Sequence, residues 1–160
     1  MAKVFAKGGY AVDRTRRALR AAVFALYCLM MLLLLFYRSP NEAGLPFPVY
    51  LRTHLNLVPL RTIRRFSRLL IPPVRPYLVR IALRNLLGNI LLFVPFGYFL
   101  PKLFPGLRSF LLTAAAVTVT ICCVEILQVL FTVGTCDIDD LILNLLGASM
   151  GYGIYKILER

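Results

Sequence analysis

Three aspartates, a glutamate and several side-chain amides stand inside or against segments that are otherwise apolar. Asp137, Asp139 and Asp140 open the stretch DIDDLILNLLGASMGY, in which Asp137, Asp140, Asn144, Gly147 and Gly151 follow at spacings of 3, 4, 3 and 4. That is a single stripe on a helix of 3.6 residues per turn. Upstream, Glu125 and Gln128 stand three apart on one face of an apolar run, and Asn85 and Asn89 stand four apart at the start of another. Carboxylates and amides in such a setting serve two kinds of chemistry. They bind a polar ligand through directional hydrogen bonds, or a carboxylate moves a proton during a reaction. For binding, the candidate set is Asn85, Asn89, Glu125, Gln128, Asp137, Asp140 and Asn144. For catalysis the candidates are Glu125 as general acid or base and Asp140 as the group that positions a metal or water.

Cations supply the complementary half. Arg61, Arg64, Arg65 and Arg68 share one helical face between Leu60 and Ile71, and Arg80 and Arg84 lie four apart just before the next apolar run. Arginines placed in this way grip phosphates and lipid headgroups. The formal net charge is +12. In a soluble protein that would suggest nucleic acid, but here the basic residues flank apolar runs, and membrane anchoring is the better reading. No resident metal or cofactor is expected: the four cysteines contain no CxxC and His54 is the only histidine, too few ligands for a zinc site.

The elements that must position these groups are helices in a bilayer. The chain of 160 residues is 59% hydrophobic and only 16% charged, a balance that belongs to an integral membrane protein of one domain. Residues 1–20 read as a basic tail. Residues 21–37 follow as a first span, with no small-residue cleavage site behind them. Residues 38–82 are broken by prolines and read as a loop of short amphipathic helices at the membrane surface. Further spans are expected at about 83–100, 109–131 and 138–158, giving an all-α protein with four membrane helices. Gly147 and Gly151 form a GxxxG spacing suited to close helix packing, either against a partner or against the alanine-rich start of the third span.

Antiparallel geometry then collects the polar groups. Asn85 and Asn89 begin the second span, Glu125 and Gln128 end the third, and Asp137 to Asn144 begin the fourth. All face the same side of the membrane, together with the arginine-rich loop. Cations divide almost evenly between the two sides, so the basic tail before the first helix decides the orientation. It puts both termini in the cytoplasm and the polar cluster outside. Asp137 and Asp139 can serve simply as helix caps. Glu125, about two turns inside, needs a proton, an arginine or a water-filled cavity.

The chain resembles the VanZ-like family. The pieces that carry the resemblance are NLVPLRTI at 56–63, NLLGNILLFVPFGYFLP at 85–101, Glu125-Ile-Leu-Gln128, and DIDDLILNLLGASMGY at 137–152. They fall in the family's order across most of the chain after its first helix. In the family a basic residue often precedes the Asp-Ile-Asp-Asp run; here Val133-Gly134-Thr135-Cys136 stands in that place. The resemblance implies a bacterial cell membrane and a role in the envelope or in resistance to the glycopeptide teicoplanin, and it implies no reaction. Three functions remain open: binding of an anionic envelope lipid or lipid-linked wall precursor, intramembrane catalysis on a lipid or lipid pyrophosphate, and service as a membrane assembly partner.

Overall fold

Leucine-rich runs with few charges leave the backbone no partner in a bilayer but itself, and helix is the form that satisfies every N–H and C=O internally. The computed structural model describes residues 2–37, 46–73 and 75–159, with only the helical course of residues 2–13. It is all-α apart from one two-residue strand pair. Four of its helices are long and apolar enough to cross a membrane.

Helix α1 runs Ala2–Phe36, and its membrane-length part is Arg14–Phe36. Residues 2–20 are thus continuous with the first span rather than a separate tail; the first proline of the chain is Pro40, so nothing upstream interrupts the helix. Part of the proline-rich stretch, residues 38–45, lies outside the described residues. Beyond it come the short helix α2 (Phe47–His54), strand β1 (Leu55–Asn56) and the short helix α3 (Arg61–Arg68). The four arginines of α3 are all exposed, and Thr62, Ile63 and Phe66 turn inward.

Helix α4 spans Pro76–Leu103, beginning earlier than residue 83. Pro76 pre-sets the first helical turn, and Arg80 and Arg84 lie along the exposed side of the same helix instead of on a separate surface piece. The helix continues through Pro95 and Pro101. A single 3-10 turn at Pro105–Leu107 leads to α5 (Phe110–Leu130); strand β2 (Cys136–Asp137) and α6 (Ile138–Leu158) complete the chain.

Helices α4 and α6 touch backbone to backbone. A Cβ added to Gly147 would lie 2.0 Å from the Ile90 carbonyl oxygen, one on Gly151 would lie 1.9 Å from that of Val94, and one on Gly97 would lie 1.9 Å from that of Ala148. The GxxxG face is therefore filled within the chain, and by α4 rather than by the alanine-rich start of α5. The reason is reciprocity: α4 offers Gly97 to α6 just where α6 offers small residues to α4. Around this seam Phe93, Phe96 and Leu100 pack with Val117 and Ile121 of α5 and Met31 of α1. Phe24 of α1 adds ring contacts to Phe96 and Phe99 at 5.7 and 5.6 Å. Outward-facing Leu26, Leu33, Leu91, Leu111 and Val119 are exposed, as lipid-facing side chains should be.

Candidate functional site

At the end of the bundle where α4 and α6 begin and α5 ends, the loop between α1 and α4 folds back onto the acidic start of α6. The register is fixed by the parallel strand pair, with Leu55 opposite Cys136 and Asn56 opposite Asp137. Asp137 caps α6 by accepting the Asp139 N–H at 2.9 Å. Its carboxylate also accepts from the Asn56 amide at 3.0 Å and from the Thr62 hydroxyl.

Asp139 has no exposed surface. Its oxygens accept the backbone N–H groups of Leu60, Thr62 (2.7 Å) and Ile63 (3.0 Å). Those are the orphan donors at the start of α3, so a carboxylate on α6 caps a helix far away in sequence. Leu60 adopts a left-handed conformation with φ 64°, which costs a non-glycine residue about 1–2 kcal/mol. The bond from its N–H to Asp139 offsets that cost. Asp137 and Asp139 together clasp the arginine-bearing loop to the bundle.

Helix α2 is held by a different bond. Buried Tyr50 donates its hydroxyl to the Gly134 carbonyl and accepts the Gly134 N–H at 3.3 Å. His54 stacks on the Tyr50 ring with centroids 4.0 Å apart, and its Nδ1 lies 3.0 Å from the Tyr50 carbonyl oxygen.

Two cavities open beneath this lid, and Asp140 lines both. The outer one holds about 550 Å³ and is walled by Arg52, His54, Asn56, Arg61, Thr62, Arg65, Asn85 and Asp137. The inner one holds about 230 Å³, between Leu34 and Leu35 of α1, Arg84, Gly88, Asn89 and Leu92 of α4, Glu125 and Gln128 of α5, and Asn144 of α6. Three of the polar walls are positioned by neighbours. Asn89 donates to Asp140, Gln128 donates to the Leu35 carbonyl at 2.7 Å, and Glu125 accepts the Asp137 N–H at 3.2 Å. Two acceptors have no partner: the buried Oδ1 atoms of Asn85 and Asn144. Asn144 is only 3% exposed, and a buried, unpaired amide oxygen costs about 1–3 kcal/mol.

The inner cavity thus gathers Asn89, Glu125, Gln128, Asp140 and Asn144, with Arg84 among its walls. Asn85, Arg61 and Arg65 belong to the outer cavity. Asp137 touches the outer cavity, but its carboxylate is engaged by Asn56, Thr62 and the α6 backbone. Arg64, Arg68 and Arg80 are exposed and line neither cavity. No group of three metal-ligating side chains occurs among the described residues.

Tyr50, Arg52, His54, Asn56 and Thr62 escaped the sequence reading. His54 in particular brings the chain's single histidine into the wall of the outer cavity. The signal available for two of them was the NLVPLRTI piece, which contains Asn56 and Thr62. Burial pushes the nearby Cys136 thiol up from its ordinary value, with the Glu125 carboxylate the next cause.

Comparison with known proteins supplies a relationship. A family model described as VanZ/LLP1 matches residues 24–159. Protein VanZ of Enterococcus faecium is 27% identical over 144 residues, which cover 90% of this chain and 78% of that protein. No solved structure matches the chain.

Proposed function

The chain belongs to the VanZ/LLP1 family, and on that premise we propose that it is a bacterial cell-membrane protein that binds an anionic envelope lipid or lipid-linked wall precursor. The site faces outward, with both termini in the cytoplasm, and occupancy changes what a glycopeptide such as teicoplanin can reach. One observation carries the reading. The two cavities combine arginines, which attract a phosphate, with an uncommon density of carboxylate and amide groups on rigid membrane helices.

The test uses a residue that can be changed without harming the fold. A Cβ on Gly88 meets nothing within 4 Å, and leucine is a better helix former than glycine. Gly88→Leu therefore fills the inner cavity while leaving the bundle intact. In a teicoplanin-sensitive bacterium, the wild-type chain should raise the inhibitory concentration of teicoplanin. Gly88→Leu and Asp140→Asn should abolish the rise at equal membrane abundance. Resistance that persists in both variants would refute the binding role.

A second reading, hydrolysis of a lipid pyrophosphate, is favoured by the presence of His54 and Asp140 in the walls of one cavity with arginines. Purified protein incubated with radiolabelled polyprenyl pyrophosphate should then release phosphate, and His54→Asn should not. No turnover by wild type discards it.

A further inference from the structure

The walls of the site are chemically unequal, and the inequality describes the ligand. The outer cavity carries Arg52, Arg61 and Arg65, cations that match a phosphate, against Asp137 and Asp140. The inner cavity sets one cation, Arg84, against more acceptors: the carboxyl groups of Glu125 and Asp140, and the buried amide oxygen of Asn144, which no hydrogen bond satisfies. Three arginines against Asp137 and Asp140 suit a phosphate; a single arginine against two carboxyl groups and an unpaired amide oxygen suits a group that brings hydrogen-bond donors.

We infer that the site reads a two-part headgroup, in which a phosphodiester sits at the arginines and a short arm bearing hydroxyl or ammonium donors reaches past Asp140 to Asn144. The inference rests on the lipid-binding reading above and specifies which headgroups satisfy it. Asp140 is placed for the hand-over, since it lines both cavities. Asn144 lies about 10 Å along α6 from Asp137, at 1.5 Å per residue. The arm's donor supplies the bond that the Asn144 oxygen lacks, and a headgroup without a donor leaves that oxygen buried and unpaired.

Two pairs of lipids isolate the donor at constant charge. Phosphatidylglycerol and phosphatidylethanol are both anionic phosphodiesters, and only the first bears hydroxyls. Phosphatidylethanolamine and phosphatidylcholine are both zwitterionic, and only the first bears N–H groups. Binding of each lipid to the purified full-length protein in detergent is measured by native mass spectrometry or by a thermal-shift titration. At least one donor-bearing lipid should bind about tenfold more tightly than its partner, as expected for one buried hydrogen bond gained or lost. Asn144→Leu should erase that preference while keeping the binding of phosphatidylethanol. Equal affinity within both pairs, or a preference that survives in Asn144→Leu, overturns the two-part headgroup and leaves the lipid-binding reading standing. Failure of all four lipids to bind overturns the two-part headgroup and removes the envelope-lipid half of the reading above.

Discussion

The Asp139 carboxylate on α6 accepts the backbone N–H of Thr62 on α3 at 2.7 Å, across 77 positions of sequence. With the Leu60 and Ile63 N–H groups on the same carboxylate, this contact fastens the arginine-bearing loop to the membrane bundle. Asp139→Ala should release α3 and strand three backbone donors. A loss of at least about 2 kcal/mol is expected, since each bond to a charged acceptor is worth about 1.5–3 kcal/mol. Thermal unfolding in detergent reads the loss, and limited proteolysis near Arg61–Arg68 shows where it falls. A variant as stable and as protease-resistant as wild type would show that the loop is held by something else.

Glycine positions should divide into two classes under one substitution. Gly151→Ala puts a methyl group 1.9 Å from the Val94 carbonyl oxygen, so α4 and α6 must part at a cost of about 1–3 kcal/mol. Gly88→Ala and Gly153→Ala meet nothing within 4 Å and should be neutral, or stabilising by up to about 1 kcal/mol, because alanine is the better helix former. Unfolding midpoints of the three variants measured side by side decide the matter.

Cys136 reports on the site and on its orientation. Burial first, and the Glu125 carboxylate second, push its thiol up from the ordinary value, so less thiolate is present at neutral pH. In a chain whose other cysteines are replaced by alanine, maleimide should label Cys136 more slowly than a free thiol, and Glu125→Gln should speed the reaction. A membrane-impermeant maleimide added to intact cells should reach Cys136. Labelling only in inverted vesicles would reverse the orientation proposed above.

At the opposite end of the bundle, Lys102 donates to Glu159 at 2.8 Å. That hydrogen bond is the main cause holding the Glu159 carboxyl below its ordinary value near 4.5. A carboxyl lowered by folding stabilises the folded state above its unfolded value, and the benefit is lost as pH falls through the lowered folded value. Because Glu159 is solvent-exposed, the pair should contribute little and fade with salt. Glu159→Gln should leave the unfolding midpoint at pH 7 nearly unchanged in high salt. Any difference from wild type in low salt should be full above the ordinary value near 4.5 and fade as pH falls below it.

Much of this architecture was legible in the sequence because apolar runs of membrane length report on themselves. So does the convergence of polar groups, since antiparallel helices force Asn89, Gln128 and Asp140 towards one face. Boundaries were less legible. Arg80 and Arg84 made the first turns of α4 look like a separate surface helix, yet exposed arginines four apart ride a continuous helix without breaking it. Helical periodicity identified the small face of α6 but not its partner, because a stripe of glycines says how closely a neighbour comes and not which neighbour it is. Long-range capping left only an indirect trace: three aspartates in four residues are more than one helix start requires, and the surplus acid satisfies a helix elsewhere. Tyr50 and His54 gave no trace at all, since a short loop helix has no pattern that records where it docks.

The backbone contacts of Gly97, Gly147 and Gly151 also bear on how the protein can move. Sliding α4 past α6 by one turn would drive side chains into carbonyl oxygens, so the two helices travel as a single plank. Among the walls of the inner cavity, α1 and α5 stand outside that plank, and the wall from α1 illustrates how they are held. Leu34 and Leu35 supply it, and hydrogen bonds from Gln128 to Leu35 and from Tyr27 to Leu92 hold it in place. Helix α1 is thus tied to its neighbours by side chains, whereas α4 and α6 are locked by their backbones.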